Sequence, residues 1–184
     1  RATREVKQSI MSSRSFATES EDKSVVLEAV LYHVEQVAYE LRKNACVCGQ
    51  MTLFIAPSRH GDFALQNRSG SREITIPTAA TRSLSSLAAE LVDELFVASV
   101  PYKKAGVRGS SITPRSIAQL ALFMEEGVSE DDDLQVVLDA ITAKYSKGRV
   151  HQGFLEGKRK HAAKADLRSP AYLASWEGLP KVKA

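Results

Sequence analysis

The residue pattern predicts an α+β domain: a four-stranded antiparallel sheet with two helices packed on one of its faces. Two stretches, 27–41 and 84–95, repeat apolar residues at helical spacing, and four others are dense in β-compatible residues between turn-forming segments. Their order over residues 9–113 is β-α-β-β-α-β. Each helical stretch carries a single apolar stripe, so both are expected to cover the same face of the sheet and leave the other face open.

Residues 1–8 have mixed charge and no periodicity, and with Arg1 in place of Met they read as linker from a preceding domain. Ile10 to Phe16 is a short, serine-rich first strand. Glu19 to Ser24 leads into a helix, with Asp22 or Ser24 as N-cap, and Leu27, Val30, Leu31, Val34, Ala38 and Leu41 form its stripe up to about Lys43. Val47 to Ala56 is the second strand, closed by Pro57 and Ser58. Phe63 to Gln66 and Arg72 to Pro77 read as one strand interrupted over Asn67 to Ser71, paired with the second as a hairpin. Thr78 or Thr81 caps the second helix, whose stripe is Leu84, Leu87, Ala88, Leu91 and Leu95. Tyr102 to Ile112 is the last strand, ended by Pro114. The whole is the ferredoxin-like split arrangement. In the last strand Ala105 and Val107 share one parity while Lys104 and Arg108 share the other, which aims both cations from the open face.

A length of 184 residues with 43% apolar content supports one domain with appendages and excludes disorder throughout. The start has no apolar signal region and no stretch is long enough to span a bilayer, so no membrane partner is expected. Cys46 and Cys48, two apart on one strand, point to the same face, a poor geometry for a disulfide. The four histidines, His33, His60, His151 and His161, lack metal-ligand spacing, so the two cysteines read as buried thiols in a reducing cytoplasm. The net charge of +3 hides an uneven distribution. From Lys147 onward nine bases face only Glu156, Asp166 and Glu177, making a basic tail; upstream, Arg14, Arg59, Arg68, Arg72, Lys103, Lys104, Arg108 and Arg115 occupy strand and loop positions.

Three groups of residues stand out. Ser13-Arg14-Ser15 offers two hydroxyls and a guanidinium, donors suited to phosphate oxygens, or else a solvated strand edge. Lys103, Lys104 and Arg108 carry the same pair of readings, since a basic edge also discourages aggregation. Gln119-Leu120-Ala121-Leu122-Phe123 has the layout of a docking peptide, one amide followed by apolar anchors. Its other reading is a short helical turn with its leucines packed inward; the acidic residues after it, Glu125, Glu126 and Glu130 to Asp133, favour exposure. Asp131-Asp132-Asp133 lies in a polar run and reads as a solvated charge run, not a metal site. The sequence carries no phosphate loop, nucleophile elbow or His-Glu metal motif, so no chemistry is expected of this chain alone.

Ser13-Arg14-Ser15-Phe16, Pro77-Thr78 with Arg82-Ser83-Leu84, Tyr102-Lys103-Lys104-Ala105-Gly106-Val107 and the pentapeptide together resemble the C-terminal region of UmuC-type Y-family DNA polymerases. So do Leu138-Asp139-Ala140-Ile141, Gly148-Arg149-Val150 and Ser169-Pro170-Ala171-Tyr172 with Trp176, which extend the resemblance over nearly the whole chain. Leu173-Ala174 and Thr142 depart from the family, which has two threonines and an asparagine at those places. The resemblance implies that residues 9–113 are a little finger that grips DNA, that 114–133 hold a sliding-clamp-binding peptide and an acidic linker, and that 134–184 are a basic C-terminal extension. It further implies Ser13, Arg14, Ser15, Arg72, Lys103, Lys104 and Arg108 on the primer–template backbone, and Gln119, Leu120, Leu122 and Phe123 on the bacterial sliding clamp. It places the catalytic carboxylates and their Mg²⁺ in a palm outside this chain, which itself takes no cofactor. An accessory subunit and the recombinase filament are further implied partners, in error-prone synthesis across damaged DNA during the SOS response. The location implied is the bacterial cytoplasm, at the nucleoid. The competing reading is a ferredoxin-like protein-interaction domain with no nucleic-acid role.

Overall fold

Backbone pairing joins four of the elements in the computed structural model, which describes residues 8–59, 62, 67–116 and 131–145. In chain order the elements are β1 (Ser9–Ser20), α1 (Lys23–Lys43), β2 (Cys46–Pro57), β3 (Arg68–Thr78), α2 (Thr81–Leu95), β4 (Tyr102–Pro114) and α3 (Asp131–Tyr145). The expected β-α-β-β-α-β order is present. All pairings are antiparallel and the sheet order is β1-β4-β2-β3, so β4 lies between β1 and β2, and β2 lies between β3 and β4. Each β-α-β unit is thus split by a strand from the other, which interlocks the two halves of the sequence in one sheet.

Helix α1 starts where expected. The Asp22 carboxylate accepts hydrogen bonds from the Ser24 amide at 2.8 Å and its hydroxyl at 2.7 Å, and Arg42 and Lys43 in the last turn suit the negative end of the helix dipole. Its buried stripe runs through Val26, Val30, Val34, Val37 and Leu41; Leu27, expected within it, lies at its margin. Helix α2 differs from expectation at its start. Ala80 is the N-cap residue, and neither Thr78 nor Thr81 caps it: the Thr78 hydroxyl accepts from the Ala80 amide, and the buried Thr81 hydroxyl is taken up by Arg42 and Gln135. Between the helices and one face of the sheet lies the core, with Leu53, Ile55, Ala105 and Val107 fully buried beneath Val26, Val30, Val34, Ala88 and Val92.

Two segments correct the sequence reading. From Arg68 onward the expected break over Asn67 to Ser71 is paired strand, with Ser71 opposite Thr52 and Arg68 opposite Ile55; the polar residues there suit an edge strand exposed to water. Phe63 to Gln66, the other expected half, lies outside the described residues. Asp131 to Asp133, expected as a solvated charge run in the linker, form the start of helix α3. Arg42 of α1 holds this helix. Its Nε donates to Asp139 Oδ2 at 2.6 Å and one Nη to Oδ1 at 2.8 Å, while the other Nη donates to Ala79 O at 2.7 Å and Thr81 Oγ1 at 3.0 Å.

Candidate nucleic-acid interface

The register fixes which side chains share the face that the helices leave uncovered. Met51, Leu53 and Ile55 of β2 are buried under the helices, so by alternation Gln50, Thr52, Phe54 and Ala56 point the other way. Opposite them on β4 stand Ser110, Arg108, Gly106 and Lys104, and opposite those on β1 stand Ser9, Met11, Ser13 and Ser15. On β3, Ser69, Ser71 and Glu73 complete the surface. It is a floor of hydroxyls and small residues with Lys104 and Arg108 along its central strand.

Several of these hydroxyls are tied down across the strands. Ser110 donates to Gln50 Oε1 at 2.8 Å, and Thr52 and Ser71 share a hydrogen bond of 2.8 Å. The Lys104 ammonium sits 5.7 Å from the centre of the Phe54 ring. Arg108 is exposed, between Met11 on one side and Thr52 on the other. A phosphate approaching this face meets two cations and hydroxyl donors, with Glu73 at its margin the one carboxylate among these open-face residues.

The residues expected to contact DNA are distributed over four places. Ser13, Ser15, Lys104 and Arg108 are brought together on the open face. Arg14 has the opposite parity, pairing with Ala105, and borders a cleft of about 290 Å³ between β1 and α1 whose walls include Tyr32, His33 and Glu40. Arg72 also points to the helix side, where it forms an ion pair with Glu94 of α2. Lys103 lies in a β4 irregularity between Tyr102 and Lys104, and its ammonium donates to Ala17 O at 3.1 Å. Phe54, Thr52, Met11, Ser69 and Ser71 are open-face residues that the sequence reading did not single out; the alternation of Gln50, Thr52, Phe54 and Ala56 with apolar neighbours is the signal that could have found the two on β2, whereas Met11, Ser69 and Ser71 follow from the strand pairing. Gln119, Leu120, Leu122 and Phe123 lie outside the described residues.

Cys46 and Cys48 are free and buried. Burial pushes the Cys48 thiol up to about 11, against a smaller opposite pull from a backbone hydrogen bond. Among the described residues, no group of three or more His, Cys, Asp or Glu side chains is placed to hold a metal ion, and no helix is long and apolar enough to cross a membrane.

Residues 7–122, well over half of the chain and including every strand of this surface, match the impB/mucB/samB family C-terminal domain. The chain belongs to that family. A second match, over residues 132–182, is to a domain of unknown function, DUF4113. The impB/mucB/samB relatives include Protein SamB of Salmonella typhimurium, 31% identical over 182 residues, which cover 96% of this chain and 42% of SamB. Protein UmuC of Salmonella typhimurium strain LT2 is 28% identical over 182 residues, covering 96% of this chain and 42% of UmuC, so the UmuC-type resemblance read from the sequence holds. Protein MucB of Escherichia coli is 28% identical over 180 residues, covering 95% of this chain and 41% of MucB. This impB/mucB/samB chain thus spans about two fifths of the length of these relatives.

Among solved structures, the chain is similar to the insertion ternary complex of Dbh DNA polymerase, with a TM-score of 0.41 and 13% identity over 59% of this chain and 30% of that one. It is also similar to DinB from Sulfolobus solfataricus, with a TM-score of 0.44 and 11% identity over 55% of this chain and 28% of that one.

Proposed function

We propose that this impB/mucB/samB domain grips the primer–template backbone for an error-prone translesion DNA polymerase and performs no chemistry of its own. The observation that carries the reading is the uncovered sheet face, where Lys104 and Arg108 project from a central strand among hydroxyls. Four residues of extended strand separate the two cations by roughly 13 Å. That is close to the width of about 12 Å of the B-DNA major groove, so the pair suits phosphates on its two lips. A face of this kind holds the backbone without reading bases, as a polymerase that must tolerate damaged templates requires.

In the same reading Gln119, Leu120, Leu122 and Phe123 hold the sliding clamp, supported by the composition of the pentapeptide. The catalytic carboxylates and Mg²⁺ belong to another part of the polymerase. SOS mutagenesis, with its accessory subunit and recombinase filament, is the setting in which such a protein acts, at the bacterial nucleoid.

Fluorescence anisotropy with a mixed-sequence primer–template duplex tests the DNA contact. Lys104→Ala/Arg108→Ala should weaken binding for every sequence and lower the slope of log affinity against log salt by about 1.8, close to 0.9 for each phosphate that no longer meets a cation. An unchanged affinity and slope would turn the reading to a protein-interaction domain. For the clamp, surface plasmon resonance should show binding that Leu122→Ala/Phe123→Ala abolishes; a wild type that fails to bind removes that part.

A further inference from the structure

We propose that Phe54 is a positioning residue that holds the Lys104 ammonium over the open face, and that Gly106 is glycine so that the Phe54 ring can take that place. The inference rests on the DNA-gripping reading above for its functional consequence, though not for its geometry.

Gly106 stands on central strand β4, opposite Ser13 of β1 and Phe54 of β2. A Cβ at position 106 would lie 2.3 Å and 2.6 Å from Cζ and Cε1 of the Phe54 ring, and 2.5 Å from the Cβ of Ser13. Such separations are far inside van der Waals contact, so the ring, together with the Ser13 Cβ on the other side, occupies the space a side chain at 106 would need. The absent side chain lets Phe54 reach across the neighbouring strand and lie against its backbone instead of standing off the sheet.

Lys104 is two residues along the same strand and therefore on the same face. Its ammonium is 5.7 Å from the ring centre, within reach of the negative face of the π system. Lysine has a flexible stem and loses much rotamer freedom when it is fixed on a phosphate. A ring that already holds the ammonium over the middle of the sheet lowers that loss, so part of the ordering is complete before DNA arrives. Gly106, Phe54 and Lys104 act as one unit, and Arg108, further along β4, serves as an independent contact.

The test is a set of variants of the 184-residue chain read in two ways. In NMR spectra, the Lys104 Hε protons should show an upfield ring-current shift that disappears in Phe54→Leu and Gly106→Ala and is retained in Phe54→Tyr. In anisotropy with the same duplex, Phe54→Leu should weaken binding about 2- to 5-fold, the ordinary worth of an exposed cation–π contact, with Phe54→Tyr restoring it. In a Lys104→Ala background Phe54→Leu should have no further effect, whereas Arg108→Ala should still weaken binding. A Lys104 shift that is absent from the wild type, or equal losses from Phe54→Leu with and without Lys104, would overturn the proposal. If the ring-current shift is present while Lys104→Ala/Arg108→Ala leaves DNA binding untouched, the positioning holds and the DNA-gripping reading fails.

Discussion

Replacing Asp139 by alanine should release helix α3 while leaving the sheet as stable as before. The helix offers little apolar surface to the domain: Leu134, Val136, Val137 and Tyr145 are exposed, and its closest described ties are polar, Asp139 with Arg42 and Gln135 with Thr81. The Arg42 and Asp139 side chains retain 13% and 26% of their exposure, which sets the pair between a surface bridge and a buried one. Surface pairs contribute about 0–1 kcal/mol, and breaking a buried pair costs about 3–5 kcal/mol. A bidentate pair with two short bonds in this intermediate position should contribute about 1.5–3 kcal/mol to docking. A 15-residue helix is marginal alone, so undocking exposes its amides.

Amide hydrogen exchange followed by NMR reads this directly. Protection across residues 131–145 should fall by about 10- to 100-fold in Asp139→Ala, since each 1.4 kcal/mol is about tenfold, with β2 and β4 amides unchanged. Arg42→Ala should cost more, because Ala79 O and Thr81 are also deprived of a donor, and the double mutant should show a coupling of about 1–2 kcal/mol. Unchanged protection of α3, or a coupling below about 0.3 kcal/mol, would refute the idea that this ion pair holds the helix.

The raised thiol of Cys48 makes stability depend on pH in the alkaline range. Its folded-state value of about 11 exceeds the ordinary 9.0, so its contribution is complete below pH 9 and is lost as pH rises toward 11. Two units correspond to about 2–3 kcal/mol, so urea midpoints should fall more steeply between pH 9 and 10.5 for the wild type than for Cys48→Ala; parallel curves would count against it. Tyr102 is fully buried and its hydroxyl accepts from the Val97 amide at 3.0 Å, so Tyr102→Phe should cost about 1–2 kcal/mol in urea unfolding through that orphaned N–H. A change below about 0.3 kcal/mol would mean that water replaces the hydroxyl.

Local pattern was enough to place α1, α2, β2 and β4, because each has a strong period and a clear stop such as Pro57 or Pro114. The α3 stripe of Leu134, Val137, Leu138 and Ile141 is present in the sequence, at the start of the stretch expected as a basic C-terminal extension, for which no helix was predicted. The side to which Arg14 points was also legible in principle, since it shares the parity of the buried Ile10 and Phe16; serines on both sides obscured the alternation. Arg72 likewise shares the parity of Ile74, which packs against the core.

Periodicity in the chain determined the elements, the single apolar stripe on each helix and hence an uncovered sheet face bearing Lys104 and Arg108. Those properties are encoded within short windows of residues. Tertiary structure alone decided the order β1-β4-β2-β3, the meeting of Phe54 with Gly106, and the partnership of Arg42 with Asp139, 97 residues apart. Contacts between distant segments depend on which strands become neighbours, and alternation within a strand carries no record of its neighbour.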